Sequence, residues 1–193
     1  QQAVAAADTI FVLMDQQKEE DKGCVTLEQS KGELVFDGVN FRYPNTEQYA
    51  LKDIHLELHQ GQTIALVGRS GSGKSTLTQL ILRFYQDVEG TILLDGKPIH
   101  DYTLSSYREH ISIVGQHVAL FNDTIANNIA YANPNATEAD IIQAAKDAYA
   151  WDFIQEQEHG LNTIIGENGS KLSGGQRQRL AIARAFLKPS SLL

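Results

Sequence analysis

The run Gly68-Arg69-Ser70-Gly71-Ser72-Gly73-Lys74-Ser75 follows the pattern Gly, four residues of any type, then Gly-Lys-Ser, which suits the capture of a polyphosphate. Its glycines let the backbone curl so that successive N–H groups face inward, and a helix starting at its end adds partial positive charge. Lys74 brings the full charge that β- and γ-phosphate oxygens require. The Ser75 hydroxyl is an oxygen ligand for a magnesium ion, which keeps several waters and accepts few protein donors. Thr76 supports the same loop through its backbone N–H.

A second run, Leu172-Ser173-Gly174-Gly175-Gln176, precedes a predicted helix from Arg177 to Leu187. Ser173 suits the cap of that helix, and Gly174 and Gly175 leave its first N–H groups uncovered. The chain therefore carries two candidate phosphate-binding helix starts.

Positioning the first loop requires a strand before it and a helix after it. Thr63 to Val67 is a short, continuous apolar run expected to be a strand buried on both faces, and a helical pattern continues through Phe84. From Glu33, Leu34, Phe36, Val39 and Phe41 surround a bend at Asp37-Gly38. Ile54, Leu56 and Leu58 alternate with His55, Glu57 and His59, which predicts antiparallel hairpins with one wet face. Thr91–Leu94 and Ile111–Val114 are further strand candidates, and a helical region begins near Thr124. There Thr137 sits three residues before Asp140 and caps a helix with Ile141, Ala144, Ala145 and Ala148 on one face. Val4, Ala7, Ile10, Phe11 and Met14 have helical spacing, and the charged stretch from Asp15 to Gly23 is read as a linker.

The composition narrows the function. With 193 residues, 42% of them hydrophobic, one core is expected, and a formal charge of −8 argues against a nucleic-acid surface. Any phosphate must be held locally. Cys24, the single cysteine, has no partner for a disulfide or a metal pair and is read as an inert thiol in the linker. No run reaches the roughly 18–20 apolar residues of a membrane span, so the residues present are expected to form a soluble α/β unit with a helical insertion. His55 and His59 point to solvent beside Glu57 with no third ligand nearby, so no metal site is expected there.

Leu172 to Gln176, followed by Arg177-Gln178-Arg179, resembles the signature of ABC ATPases, and the resemblance extends over essentially the whole chain. It implies a P-loop NTPase fold with an N-terminal antiparallel β subdomain, a parallel-sheet core, and a helical subdomain at about 117–187 carrying the signature. By the same resemblance, residues 1–31 correspond to the end of a last transmembrane-domain helix and a linker, and residues 32–193 to the nucleotide-binding domain. ATP and Mg2+ are the implied cofactors. Gly68, Arg69, Ser70, Gly71, Ser72, Gly73, Lys74, Ser75 and Thr76 correspond to the phosphate-binding positions, with Lys74 also catalytic.

In that family the signature serves the nucleotide held by a second copy. The resemblance therefore implies a head-to-tail homodimer in which Lys171, Ser173, Gly174, Gly175 and Gln176 act in trans. Tyr43, within Phe41-Arg42-Tyr43-Pro44, resembles the aromatic that stacks on adenine. Gln116 resembles the catalytic glutamine that senses magnesium, with Ser75, and the attacking water. Glu167, within Gly166-Glu167-Asn168-Gly169, resembles a charged contact to the intracellular helices of the membrane domain.

The family pattern continues with an apolar strand ending in Asp-Glu and a later histidine, whereas this sequence ends at Ser190-Ser191-Leu192-Leu193. The expectation is an incomplete domain that lacks these groups. Asp101–Leu104, Leu120–Ala132 and Ala148–Ile154 resemble the lipid-exporting members of the family in Gram-negative bacteria. They imply lipid A or a related lipid as a partner through the transmembrane domain of the full-length chain, at the cytoplasmic face of the inner membrane. A multidrug or peptide exporter, a soluble ABC ATPase that does not transport, and a nucleotide-binding module without catalysis are the alternatives.

Overall fold

Strand β1 (Leu34–Phe41) buries Leu34, Phe36, Val39 and Phe41, a set that breaks the two-residue period of a strand between Phe36 and Val39. The structure, a computed structural model describing residues 7, 10–12, 14–16 and 19–193, resolves the break as a bulge. The register of β1 slips between Phe36 and Val39 against one neighbour and between Asp37 and Asn40 against the other. Gly38 supplies the positive φ of 59° that lets the extra residue fit. The bulge returns Val39 and Phe41 to the inner face. Removing the Phe36 ring, which is 1% exposed, would cost about 3–5 kcal/mol.

β1 pairs antiparallel with β2 (Leu51–Leu58) and with β3 (Glu89–Leu94), and β3 pairs with β4 (Lys97–Pro98), giving the order β2-β1-β3-β4. On β2, Ile54, Leu56 and Leu58 are half-buried while His55 and Glu57 are exposed, as their alternation predicts. The sheet shares one core with helix α1 (Lys74–Ile81), through Leu77 and Leu80, and with Tyr107 of α2 (Leu104–Glu109).

A second apolar cluster runs from Leu120 to Leu187. It joins α3 (Ile125–Ala130), α4 (Glu138–Asp147), α5 (Trp151–Gln155) and α6 (Gly174–Leu187). Thr137 and Asp140 form a reciprocal capping box on α4, and Ile141, Ala144, Ala145 and Ala148 are all buried. A cap of this kind contributes about 1 kcal/mol.

The expected parallel-sheet core is corrected. Among the described residues, parallel pairing is confined to the isolated bridges Val25–Tyr102 and Ile111–Leu192. Thr63–Val67 forms no strand; none of its backbone groups is hydrogen-bonded among the described residues, and Val67 is 93% exposed. The physical reason is that a strand exists only as part of a ladder, and no described segment hydrogen-bonds to this one. Ile111–Val114 is likewise outside any strand, but it begins to pair: Ser112 N donates to Leu192 O at 2.8 Å, and Leu192 N to His110 O at 3.2 Å.

Residues 7, 10–12 and 14 are helical; the rest of the helix expected at 1–14 lies outside the described residues. The polar stretch after it is docked on the body. Arg108 grips Glu19 through two N–H···O bonds of 2.6 and 2.7 Å, and this contact holds the Glu19 carboxyl below its ordinary range. Asp21 accepts from Leu104 N at 2.8 Å. Further along, Cys24 N and Val25 N both donate to Asp101 O.

Candidate functional site

Helix α1 starts at Lys74, directly after Gly73, whose φ of 85° is left-handed and which offers no side-chain cap. A Cβ at position 73 would lie 2.6 Å from Leu51 Cδ2 and 2.8 Å from Ala50 O. Only glycine seats the loop on the start of β2. The backbone N–H groups of Lys74, Ser75 and Thr76 have no hydrogen-bond acceptor among the described residues, so three donors and the helix dipole converge on one spot.

The Lys74 ammonium donates to Gly68 O and Arg69 O, each at 2.8 Å, and to Ser72 Oγ at 3.1 Å. These three bonds use all the donors of the ammonium and fold the loop around it. An anion that reached this ammonium would have to displace one of these loop oxygens. Ser75 is exposed and Thr76 is buried.

Tyr43 follows β1 and is half-buried, at 5.1 Å and 78° to Phe41 and at 5.3 Å and 84° to Tyr85. Its hydroxyl lies 2.7 Å from Thr76 Oγ1 and donates to Gln79 Oε1 at 3.1 Å. The structure thus brings Tyr43 to the helix that opens at the phosphate loop. Gln79 escaped the sequence reading, and the available signal was its three-residue spacing from Thr76 on one helix face.

Gln116 is exposed and shares one cavity of about 680 Å³ with Ser75, Thr78, Ile113, Ile182 and Phe186. The two residues expected to face magnesium are therefore on one cavity. Gln178 of α6 donates to Gly115 O at 3.3 Å, tying the Gln116 segment to the signature helix, a link the sequence reading also missed. Among the described residues no three His, Cys, Asp or Glu groups gather to hold an ion. The Ser75 and Gln116 oxygens are neutral and few, a set that fits a magnesium ion arriving with phosphate oxygens and water.

Ser173 caps α6. Its Oγ accepts from Gln176 N at 3.2 Å, while Gln176 Oε1 accepts from Ser173 N at 2.8 Å. The Gly174 and Gly175 amides have no partner among the described residues, and the Ser173 hydroxyl keeps its own proton free. Lys171 donates to Ile164 O at 3.1 Å. No hydrogen bond among the described residues joins 171–176 to 68–76, and the two helices sit in different apolar clusters. Glu167 is exposed, in a short 3-10 turn from Glu167 to Gly169.

Residues 51–193 match the family described as ABC transporter. The chain is 57% identical over 194 aligned positions to the ATP-dependent lipid A-core flippase of Pectobacterium atrosepticum, a match covering 100% of this chain and 33% of that protein. It is 52% identical to the protein of the same name from Salmonella typhimurium, with the same coverage. It also superposes on a bacterial Atm1-family ABC exporter with ATP bound, at a TM-score of 0.85 and 38% identity, covering 98% of this chain and 33% of that one. The chain spans about a third of the length of the curated relatives it matches.

Proposed function

The chain belongs to the ABC transporter family, and on that premise we propose that it is the ATP-binding domain of an exporter. That exporter couples ATP binding and hydrolysis to the flipping of lipid A or a related lipid across the bacterial inner membrane, with this domain at the cytoplasmic face. The observation that carries the reading is the set of three amides, at Lys74, Ser75 and Thr76, that have no acceptor among the described residues, at the end of the loop closed by the Lys74 ammonium. It offers to a polyphosphate what water otherwise offers, already oriented.

The Gly68–Thr76 loop holds the phosphates, and Lys74 exchanges its loop carbonyls for phosphate oxygens, including those that gain charge as the terminal phosphate leaves. Tyr43 stacks on adenine. Ser75 and Gln116 face a magnesium ion, which when bound neutralises phosphate charge, and Gln116 also orients the attacking water. No carboxylate of this chain is assigned as the base. Ser173, with its free hydroxyl proton, and the bare amides of Gly174 and Gly175 address the nucleotide of a second copy, with Lys171 and Gln176 beside them. Glu167 faces the membrane domain. The lipid substrate is supported by the 57% identity to a lipid A-core flippase, against 38% to the Atm1-family exporter.

Phosphate release from the whole protein tests the ATPase reading: Lys74→Ala is expected to lower it about 100- to 1,000-fold, and a rate within tenfold of the parent would sink it. Stimulation of that rate by lipid A and not by phosphatidylcholine tests the substrate. Equal stimulation by both would favour a broader exporter.

A further inference from the structure

The Tyr43 phenol has one proton and, in this structure, two hydrogen-bond partners. Gln79 presents its side-chain carbonyl oxygen at 3.1 Å and takes that proton. The 2.7 Å contact with Thr76 must therefore run the other way, with the Thr76 hydroxyl donating to the phenol oxygen. Thr76 is 6% exposed, and its hydroxyl proton is committed to Tyr43. Its backbone N–H remains the group it offers at the loop.

Phe41 and Tyr85 meet the same ring nearly at right angles. A tyrosine after the end of a strand has two free side-chain torsions, and these four contacts fix both. Phe41 belongs to the sheet, whereas Thr76 and Gln79 belong to the helix that opens at the phosphate loop. The ring is thereby referenced to the atoms that hold phosphate as well as to the sheet.

We propose that Gln79 is a positioning residue for the nucleotide base: by accepting the Tyr43 hydroxyl proton it aims the ring and sets its distance from the phosphate loop. This rests on the reading that Tyr43 stacks on the base. Gln79 touches neither base nor phosphate in this scheme; it acts through Tyr43. Loss of the acceptor frees the ring to turn, so the base loses part of its stacking while the phosphates keep all their contacts. The effect must fall on nucleotides and spare a ligand that has phosphates alone.

Equilibrium binding of ATP and of inorganic tripolyphosphate to the whole protein, each with magnesium, tests this in Gln79→Met, Tyr43→Phe, the double variant and Tyr43→Ala. Gln79→Met keeps the length of the side chain and removes the acceptor. It is expected to weaken ATP binding about 3- to 10-fold and to leave tripolyphosphate binding unchanged, which also reports that the loop is folded. In the Tyr43→Phe background, Gln79→Met should cause no further loss, because the bond it removes is already gone. Equal weakening of both ligands, additive losses in the double variant, or unchanged ATP binding in Gln79→Met would each overturn the proposal while Tyr43→Ala still loses ATP. If Tyr43→Ala binds ATP as tightly as the parent, the stacking reading itself falls, and the proposal falls with it.

Discussion

The two helices that begin in glycine-rich turns, α1 at Lys74 and α6 at Gly174, are finished in opposite ways. At α1 no side chain caps the helix, the preceding glycine is wedged against Leu51 and Ala50, and a lysine closes the loop. At α6 a serine and a glutamine cap each other, and an atom added at Gly175 would meet nothing within 4 Å. The first start is built into the sheet and is short of acceptors for its donors. The second is capped by its own side chains at Ser173 N and Gln176 N, while the Gly174 and Gly175 amides stay open among the described residues, as the proposed role toward a second copy requires. Local sequence leaves backbone donors open at both starts, and the surroundings set the two apart.

Substitutions at the two glycines separate these roles most sharply. Gly73→Ala forces a side chain into a left-handed position against Leu51 and the Ala50 carbonyl, and should cost about 1–3 kcal/mol in stability together with most of the ATP affinity. Thermal melts and nucleotide titration read both, and a wild-type melt with intact binding would remove the distinction between the two starts. Ser173→Ala deletes the cap of α6 and should lower stability by about 1 kcal/mol while leaving ATP binding to a single copy intact. A loss of single-copy affinity in that variant would show that the second start is not independent of the first.

Gly175→Ala has open space around it and replaces a poor helix former, so it should raise stability by roughly 0.5 kcal/mol. Pairing of two copies on ATP, followed by sedimentation, should weaken in the same variant. Improved stability with unaltered pairing would break the assignment of this surface. The smallest effect concerns caps alone. The box on α4 uses a carboxylate, Asp140, held below its ordinary pKa by the Thr137 side-chain and backbone bonds, whereas the box on α6 uses the amide of Gln176. A depressed carboxylate contributes stability at neutral pH that is lost as pH falls through its folded-state pKa. Protection of Thr137 N–H against hydrogen exchange, relative to the intrinsic rate at each pH, should therefore drop below the ordinary aspartate range, while protection of Ser173 N–H should show no such step.

Much of this arrangement could be read before any coordinates, because caps and glycine turns are local. The Thr137–Asp140 and Ser173–Gln176 boxes join residues three positions apart, and the buried face Ile141, Ala144, Ala145 and Ala148 follows from helical spacing alone. Thr63–Val67 shows where that reasoning stops. An apolar run states that a segment would tolerate burial between neighbours and says nothing of whether they lie beside it, and here Val67 is 93% exposed. The Tyr43–Gln79 bond and the Glu19–Arg108 fork escaped for the related reason that their partners lie 36 and 89 residues apart. The charge of Glu19 was visible, but its docking was not.

That fork also has a mechanical meaning. Arg108 holds Glu19 with two bonds and, on its other side, donates to Leu82 O and Arg83 O just past the end of α1. Tyr107, the residue before it, donates to Ile81 O. A displacement of Glu19 is thus delivered to the tail of the helix that opens at the Gly68–Thr76 loop. The paired bonds must break together, which makes the joint stiff in tension. Helix α1 is in effect a short rod, with the proposed ligand seat at one end and Glu19 hitched through Arg108 to the other.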